Sequence, residues 1–315
     1  MPDRRGLFHR VMTTEHPSGG DPTLVIGAGE LGGSVVGALT RRDDPPPVTV
    51  LLRPTNNPRH VALRAGLAAK GAAVVEADIG TATVGELAGI FARFHTVISC
   101  LGFAAGPGTQ RRITEAVLQA GVRRYLPWQF GADYDAIGRG SPQDLFDEQL
   151  DVRDLLRAQD VTDWVIVSTG MFTSFLFEPD FGVVDFATST VNALGGWDNA
   201  VTVTTPEDIG ILTAEIVSAR PRIANQVVYV AGDTITYRQL ADIVERARGV
   251  PVIRREWTVA RLLDDLTRHP DDSMRKYRAV FAQGRGVAWP KAASFNGSRG
   301  IPTTTAQEWL HERLA

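Results

Sequence analysis

Apolar and polar positions along the chain fall into two alternating rhythms. Short aliphatic runs with almost no polar interruption are each followed, after a glycine-rich or polar turn, by a segment whose apolar residues recur at helical spacing. The first run, Thr23-Leu24-Val25-Ile26, enters the turn Gly27-Ala28-Gly29-Glu30-Leu31-Gly32-Gly33 and leaves it as a helix reaching Leu39. Val48 to Leu52 then reads as a strand, Asn57 to Lys70 as a helix closed by Gly71, Ala73 to Ala77 as a strand ending at Asp78, and Val84 to Phe91 as a helix. Thr96 to Gly102 is the fourth strand, Thr109 to Ala120 the next helix, and Arg124 to Pro127 the fifth strand. Ser141-Pro142-Gln143-Asp144 predicts a helix start with Ser141 as N-cap and Pro142 at the first helical position, the helix running to about Gln159. Trp164 to Ser168 is the sixth strand. Uninterrupted apolar runs mark strands buried on both faces, and their alternation with helices predicts an α/β fold, a doubly wound parallel sheet of the Rossmann kind.

Beyond Ser174 the rhythm changes. Val183 to Phe186 and Val201 to Val203 are short β-like runs, and Gln226 to Val230 reads as a further strand. Thr205-Pro206-Glu207-Asp208 opens a capped helix, and Thr236-Tyr237-Arg238-Gln239 opens another as a Thr-x-x-Gln capping box. These features predict a mobile tail over residues 1–21, a nucleotide-binding domain over 22–174, and a smaller α+β substrate lobe over 175–315, some segments of which return to the first domain.

The glycine turn carries the first candidate chemistry. Strand, Gly-x-Gly-x-x-Gly and helix in that order form the dinucleotide fingerprint. Gly27 allows the tight turn, Gly29 admits a pyrophosphate to the backbone, and Gly32 lets the helix pack close. The free N–H groups around Glu30 and Leu31 then face the phosphate charge. About 20 residues past the glycines, where an NAD-binding chain places a carboxylate on the ribose hydroxyls, this chain has Arg53. A guanidinium pairs with a 2′-phosphate through two parallel hydrogen bonds, so NADP(H) is the expected cofactor.

Composition narrows the remaining classes. With 315 residues and a net charge of −3 there is no basic footprint for nucleic acid. No apolar run approaches a membrane span, and no signal-peptide pattern opens the chain. The lone Cys100 excludes an intramolecular disulfide, and the histidines are scattered singly, so no metal site is expected. A cytoplasmic protein without a membrane or nucleic-acid partner is the expectation; a homo-oligomer is left open.

Four stretches taken together carry a family likeness: Gly27 to Gly32 with Arg53, Val97 to Gly102, Leu126-Pro127-Trp128-Gln129-Phe130-Gly131, and Phe146 to Arg153. In order and spacing they resemble the NmrA-like and isoflavone-reductase-like group of atypical short-chain dehydrogenases. The resemblance implies that Asp78 and the segment Ser99 to Gly102, with Leu101, belong to the cofactor site, together with Gln129 and Phe130. It implies that Trp128, Met171 and Phe172 border the substrate, which in the family's reductases is an aromatic natural product. It also implies a catalytic lysine where this chain has Gln149, an amide that does not titrate.

No Tyr-x-x-x-Lys pair replaces that lysine: the fourth residue after Tyr125 is Gln129, and after Tyr134 it is Gly138. Gln149, Tyr134 and Asp133 are therefore the candidates for the reacting centre, each with an ordinary alternative as a solvated helix or loop position. Two functions fit. One is an NADP(H)-dependent reductase acting on an aromatic or heterocyclic small molecule, extending to a cationic iminium that needs no proton donor. The other is a redox sensor that binds NADP(H) without turnover.

Overall fold

The computed structural model describes residues 20–55, 57–103 and 106–314. The tail expected over residues 1–21 lies, up to residue 19, outside the described residues. The first half runs β1 (Thr23–Ile26), α1 (Glu30–Thr40), β2 (Val48–Leu52), α2 (Pro58–Ala69), β3 (Ala73–Glu76), α3 (Val84–Phe91), β4 (Thr96–Ser99), α4 (Thr109–Gln119), β5 (Arg124–Leu126), α5 (Tyr134–Ile137), α6 (Leu145–Arg157) and β6 (Asp163–Ser168). The second half contains β7 (Met171–Phe172), β8 (Val184–Asp185), β9 (Thr190–Leu194), β10 (Ala200–Thr204), α7 (Pro206–Ser218), β11 (Gln226–Tyr229), β12 (Asp233–Thr236), α8 (Tyr237–Arg248), β13 (Ile253–Trp257), α9 (Val259–Arg268), α10 (Ser273–Ala282) and α11 (Ala306–Leu314).

Among the described residues, seven strands form one parallel sheet in the order β11-β6-β5-β4-β1-β2-β3. Successive side chains serve opposite layers, as the two-residue period requires. Leu24 and Ile26 of β1 pack with α3 and α4 through Leu87, Phe91, Ile113 and Val117, whereas Val25 faces Val35 and Leu39 of α1. That double burial is why these strands read as unbroken apolar runs. Strand order reverses between β1 and β4, and at such a switch point the carboxyl ends of the strands open a crevice.

Residues 206–229 complete this half rather than the lobe. Strand β11 pairs in parallel with β6 from Gln226↔Val165 to Tyr229↔Ser168, and α7 packs on α1. A Cβ at Gly210 would come within 2.6 Å of the Ser34 carbonyl carbon, so the two helices meet backbone to backbone. Thr205 caps α7 by accepting the N–H of Asp208, with Pro206 at its start. The lobe itself holds two three-stranded sheets, β12-β10-β7 and β13-β9-β8, around a separate core that includes Phe181, Val191, Leu240 and Phe281.

One expected boundary moves. The helix expected from Ser141 begins at Leu145, capped by Asp144, because the Ser141 hydroxyl donates to the Gln143 carbonyl in a local turn and leaves the helix amides to Asp144. The packing of α1 on α7 carries a prediction. Gly210→Ala should cost about 1–3 kcal/mol of stability through overpacking, read as a lower midpoint in urea denaturation with an unchanged slope.

Candidate functional site

The glycine turn lies at the switch point. Gly27 has φ +88°, a conformation side chains rarely adopt, and its amide donates to the Leu51 carbonyl. A Cβ at Gly32 would collide with the Gly27 carbonyl, so only glycine lets α1 start this close to β1. At Gly29 a Cβ would meet nothing within 4 Å, and Gly29 caps α1 without a side-chain hydrogen bond. The helix N-terminus thus opens onto free space, and Glu30 is exposed there while Leu31 turns into the core.

A cleft of about 380 Å³ extends from this turn, lined by Gly27, Gly29, Arg53, His60, Leu101 and Gly102 among others. Arg53 stands at its rim, with Nε 3.4 Å from Asp78 Oδ1. Asp78 in turn accepts the Gly80 amide, which fixes the carboxylate beside the guanidinium. These residues fit a dinucleotide phosphorylated on its ribose: backbone can approach the pyrophosphate, and an exposed guanidinium awaits the far end. A larger cleft, of about 850 Å³, lies at the opposite ends of the strands by Thr23, Thr96 and Arg124. Arg124 is committed there to the Ile216, Val217 and Ile223 carbonyls, and we assign that cleft no chemistry.

Gly102, at the edge of the cleft, abuts an aromatic cluster. A Cβ at Gly102 would lie 3.2 Å from the Trp128 ring, and Trp128 meets Phe103, Phe130 and Phe172 edge-on at centroid distances of 6.4, 5.9 and 6.3 Å. Ser99 is fully buried with its hydroxyl unpartnered, and the Leu101 carbonyl accepts from Gln110. Met171, expected beside the substrate, belongs instead to the lobe core, its backbone paired with Val203, because the two-residue strand β7 sends alternate side chains opposite ways.

The third part of the site is the start of α6. Glu148 accepts the amides of Gly108, Gln110 and Arg111, binding α6 to the N-terminus of α4. Gln149, next along, is fully buried, which corrects the solvated alternative, and neither of its side-chain amide atoms has a partner. Gln129 donates to the Gln149 carbonyl at 2.8 Å and accepts from Arg153 Nε at 2.7 Å. Arg153 is also fully buried. Its Nη1 donates to Asp135 at 2.6 Å and lies 3.7 Å from Asp133.

Tyr134 is 3% exposed, not a surface loop residue, since the short helix α5 turns its ring onto Phe146 under the Arg153 guanidinium. Burial pushes its phenol up, Tyr277 adds to the rise and Arg153 opposes it, so it stays a neutral donor. Asp133 caps α5 through the Ala136 amide and accepts the Tyr229 hydroxyl.

The sequence profile of the NmrA-like family matches residues 21–284. The chain belongs to that family. An NmrA-like family domain-containing oxidoreductase from Gibberella moniliformis is 44% identical to it over 299 residues, 93% of this chain and 98% of the relative. Among solved structures, an isoflavone reductase superposes with a TM-score of 0.78 at 20% identity, covering 93% of this chain and 99% of that one. Leucoanthocyanidin reductase from Vitis vinifera, in a binary complex with NADPH, gives 0.77 at 20% identity over the same shares. An NADPH-dependent quinone oxidoreductase from Escherichia coli gives 0.71 at 21%, covering 93% and 100%. At these identities the three structures share the fold.

In this NmrA-like chain, sequence reasoning passed over Arg153, Asp135 and Glu148. The signal for the first was available: Gln149 and Arg153 are four apart and share a helix face. Among the described residues no cluster of metal-ligating side chains forms, and no helix is long and apolar enough to cross a membrane.

The buried guanidinium generates a prediction. Asp135 is held below the usual carboxylate range chiefly by its hydrogen bond from Arg157, with Arg153 adding to it. A lowered folded-state value means a contribution fully present above the unfolded carboxylate value and lost as pH falls from there through the lower folded-state value. Asp135→Asn should cost about 1–2 kcal/mol at neutral pH by removing the shorter of the two carboxylate contacts of the buried Arg153 guanidinium, Asp133 at 3.7 Å remaining. Its stability should also fall less steeply than the wild type's on acidification, both read from urea denaturation across pH.

Proposed function

We propose that this protein is an NADP(H)-dependent reductase that adds hydride to an aromatic or heterocyclic small molecule. The observation that carries the reading is the cleft that joins the helix N-terminus at Gly29 and the rim guanidinium of Arg53 to Gly102, which abuts the ring of Trp128 in its cluster with Phe103 and Phe172. A phosphate-accepting cleft with an aromatic cluster against its Gly102 edge is what a nicotinamide reductase of planar substrates needs. The cofactor signature, the family membership and the NADPH complex of the leucoanthocyanidin reductase support the same reading.

The residues divide the work by position. Gly27, Gly29 and Gly32, with the amides of Glu30 and Leu31, would receive the pyrophosphate, and Arg53, steadied by Asp78, the 2′-phosphate. Ser99, Leu101 and Gly102 would lie along the nicotinamide half, with Gln129 and Phe130 behind them. When bound, the reduced nicotinamide supplies the hydride. Trp128 and Phe172 would hold the substrate flat and exclude water. Gln149 and Tyr134 would contact its polar group, and Asp133 would position the residues around Arg153.

One observation favours a second reading, a redox sensor that binds NADP(H) without turnover. The amide at Gln149, where the resemblance implies a lysine in the family's reductases, supplies no titratable proton. The separating experiment is calorimetric titration with NADP+, NADPH, NAD+ and NADH, followed by assay of NADPH oxidation with quinones and other planar conjugated carbonyl compounds. Turnover supports the reductase, whereas tight binding that prefers one redox state, without turnover, supports the sensor.

Arg53→Ala should weaken NADPH binding about 10- to 100-fold, the worth of a charge-assisted contact, while leaving NADH within about twofold. Equal weakening of both nucleotides would remove the 2′-phosphate assignment.

A further inference from the structure

Strand β11 ends the large sheet, paired with β6 on one side and with no strand on the other. The Val230 amide donates to the Ser168 carbonyl, so by the two-residue period Gln226 and Val228 also turn their backbone groups to β6, and Val227 and Tyr229 turn theirs outward. The Tyr229 carbonyl is taken by the Phe295 amide at 2.8 Å. The N–H and C=O of Val227 and the N–H of Tyr229 have no hydrogen-bond partner among the described residues. Such a row of open groups is a template for another strand.

A groove of about 490 Å³ runs beside this edge. Val228 and Phe295 are buried beneath it, with Ile223 and Ile301 packed against the same core. Its charged lining is Arg220, Arg222 and Arg299 against one carboxylate, Glu215, and Glu215 is already paired with Arg42 at 2.9 Å. Arg222 has Asp163 at 3.2 Å. Arg220 donates to the Ala219 carbonyl, and Arg299, 4.1 Å from the centroid of the Phe295 ring, donates to the Phe295 carbonyl. Neither of these two has a carboxylate partner among the described residues. The excess charge is felt nearby: burial lowers the Arg124 guanidinium to about 10, and Arg222 and Arg220 add to the fall against Asp163.

We propose that this groove binds an extended acidic segment of a partner protein, which joins the sheet as a strand beside β11. The segment's backbone meets the open groups of Val227 and Tyr229, its apolar side chains cover Phe295 and Ile301, and its carboxylates meet Arg220 and Arg299. Charges that merely guard an edge sit on the edge strand itself. Here Gln226 to Tyr229 carry no charge and no proline, and the arginines flank the groove instead. The chain as a whole has a net charge of −3, so a nucleic acid meets repulsion beyond the groove, whereas a short acidic segment stays within it. The inference is independent of the reductase reading, since β1 and its glycine turn lie four strands along in the order β11-β6-β5-β4-β1.

The test uses the full chain and a fluorescein-labelled peptide of alternating glutamate and valine, read by fluorescence anisotropy. The peptide should bind saturably, and more weakly as salt is raised. Methylating the peptide's backbone nitrogens leaves its charge intact and should weaken binding about 10-fold by removing its N–H donors. On the protein, Val227→Pro should have a similar effect, at an edge position whose outward N–H makes proline tolerable. Arg220→Glu combined with Arg299→Glu should weaken binding about 10- to 100-fold, the worth of charge-assisted contacts, with an unchanged midpoint in urea.

The methylated peptide is compared on the wild-type protein, so the outcome does not hang on whether a variant folds. Absence of saturable binding, equal binding of the plain and methylated peptides, or equal binding by wild type and the double arginine variant overturns the proposal. So does a single-stranded RNA of the same charge that binds as tightly as the peptide.

Discussion

The close seating of α1 against the carboxyl ends of β1 and β4 is the constraint on which the rest depends. Only glycine at position 32 tolerates the carbonyl of Gly27 where a Cβ would be, and only a left-handed residue at 27 turns the chain into the helix at that point. With α1 seated there, the helix points its amides along the switch point of the sheet, and α7 can close over its far side through Gly210. The crevice is a consequence of that packing and exists before any ligand arrives.

A second constraint acts at the far end of the crevice. Arg153 is a charge held fully out of water, and the molecule keeps it there by drawing together three segments distant in sequence: the end of β5 through Gln129, the α5 turn through Asp135, and α6 itself. Burying an ion pair is not a favourable way to gain stability, because desolvation offsets the attraction. What the arrangement does secure is position. The first turn of α6 is fixed on one side by Gln129 and on the other by Glu148 at the head of α4, so Gln149 has little freedom of placement.

Much of this was legible from residue order alone. The strands of the large sheet, the glycine turn, the capping box at Thr236 and the N-cap at Thr205 follow from local rules, because buried parallel strands and helix starts carry their own composition. The start of α6 did not follow, since Ser141 satisfies a carbonyl in its own turn instead of capping the helix. Nor did the side-chain environment of α6. Gln149 among acidic neighbours reads equally as an exposed position or a pocket wall, and only the docking of the helix, with Gln129 on its backbone, makes it buried. The burial of Met171 was not legible for a related reason: which face of a two-residue strand looks into a lobe is decided by its pairing with β10, far along the chain. Local pattern names the elements, and tertiary contact decides which way their side chains turn.

The return of residues 206–229 to the large sheet has a consequence for how the two halves can move and be exchanged. The chain crosses between them after β6, before α7 and after β11, and Asn296 from the last part of the sequence clasps both the amide and the carbonyl of Ala231 at the third crossing. A lobe stitched on at three points moves against the large sheet only with all three connections adjusting together. For the same reason a swap of substrate lobes between relatives would need matched splice points on every one of those threads, and selectivity in this scaffold is more readily altered by changing side chains in place than by shuffling segments.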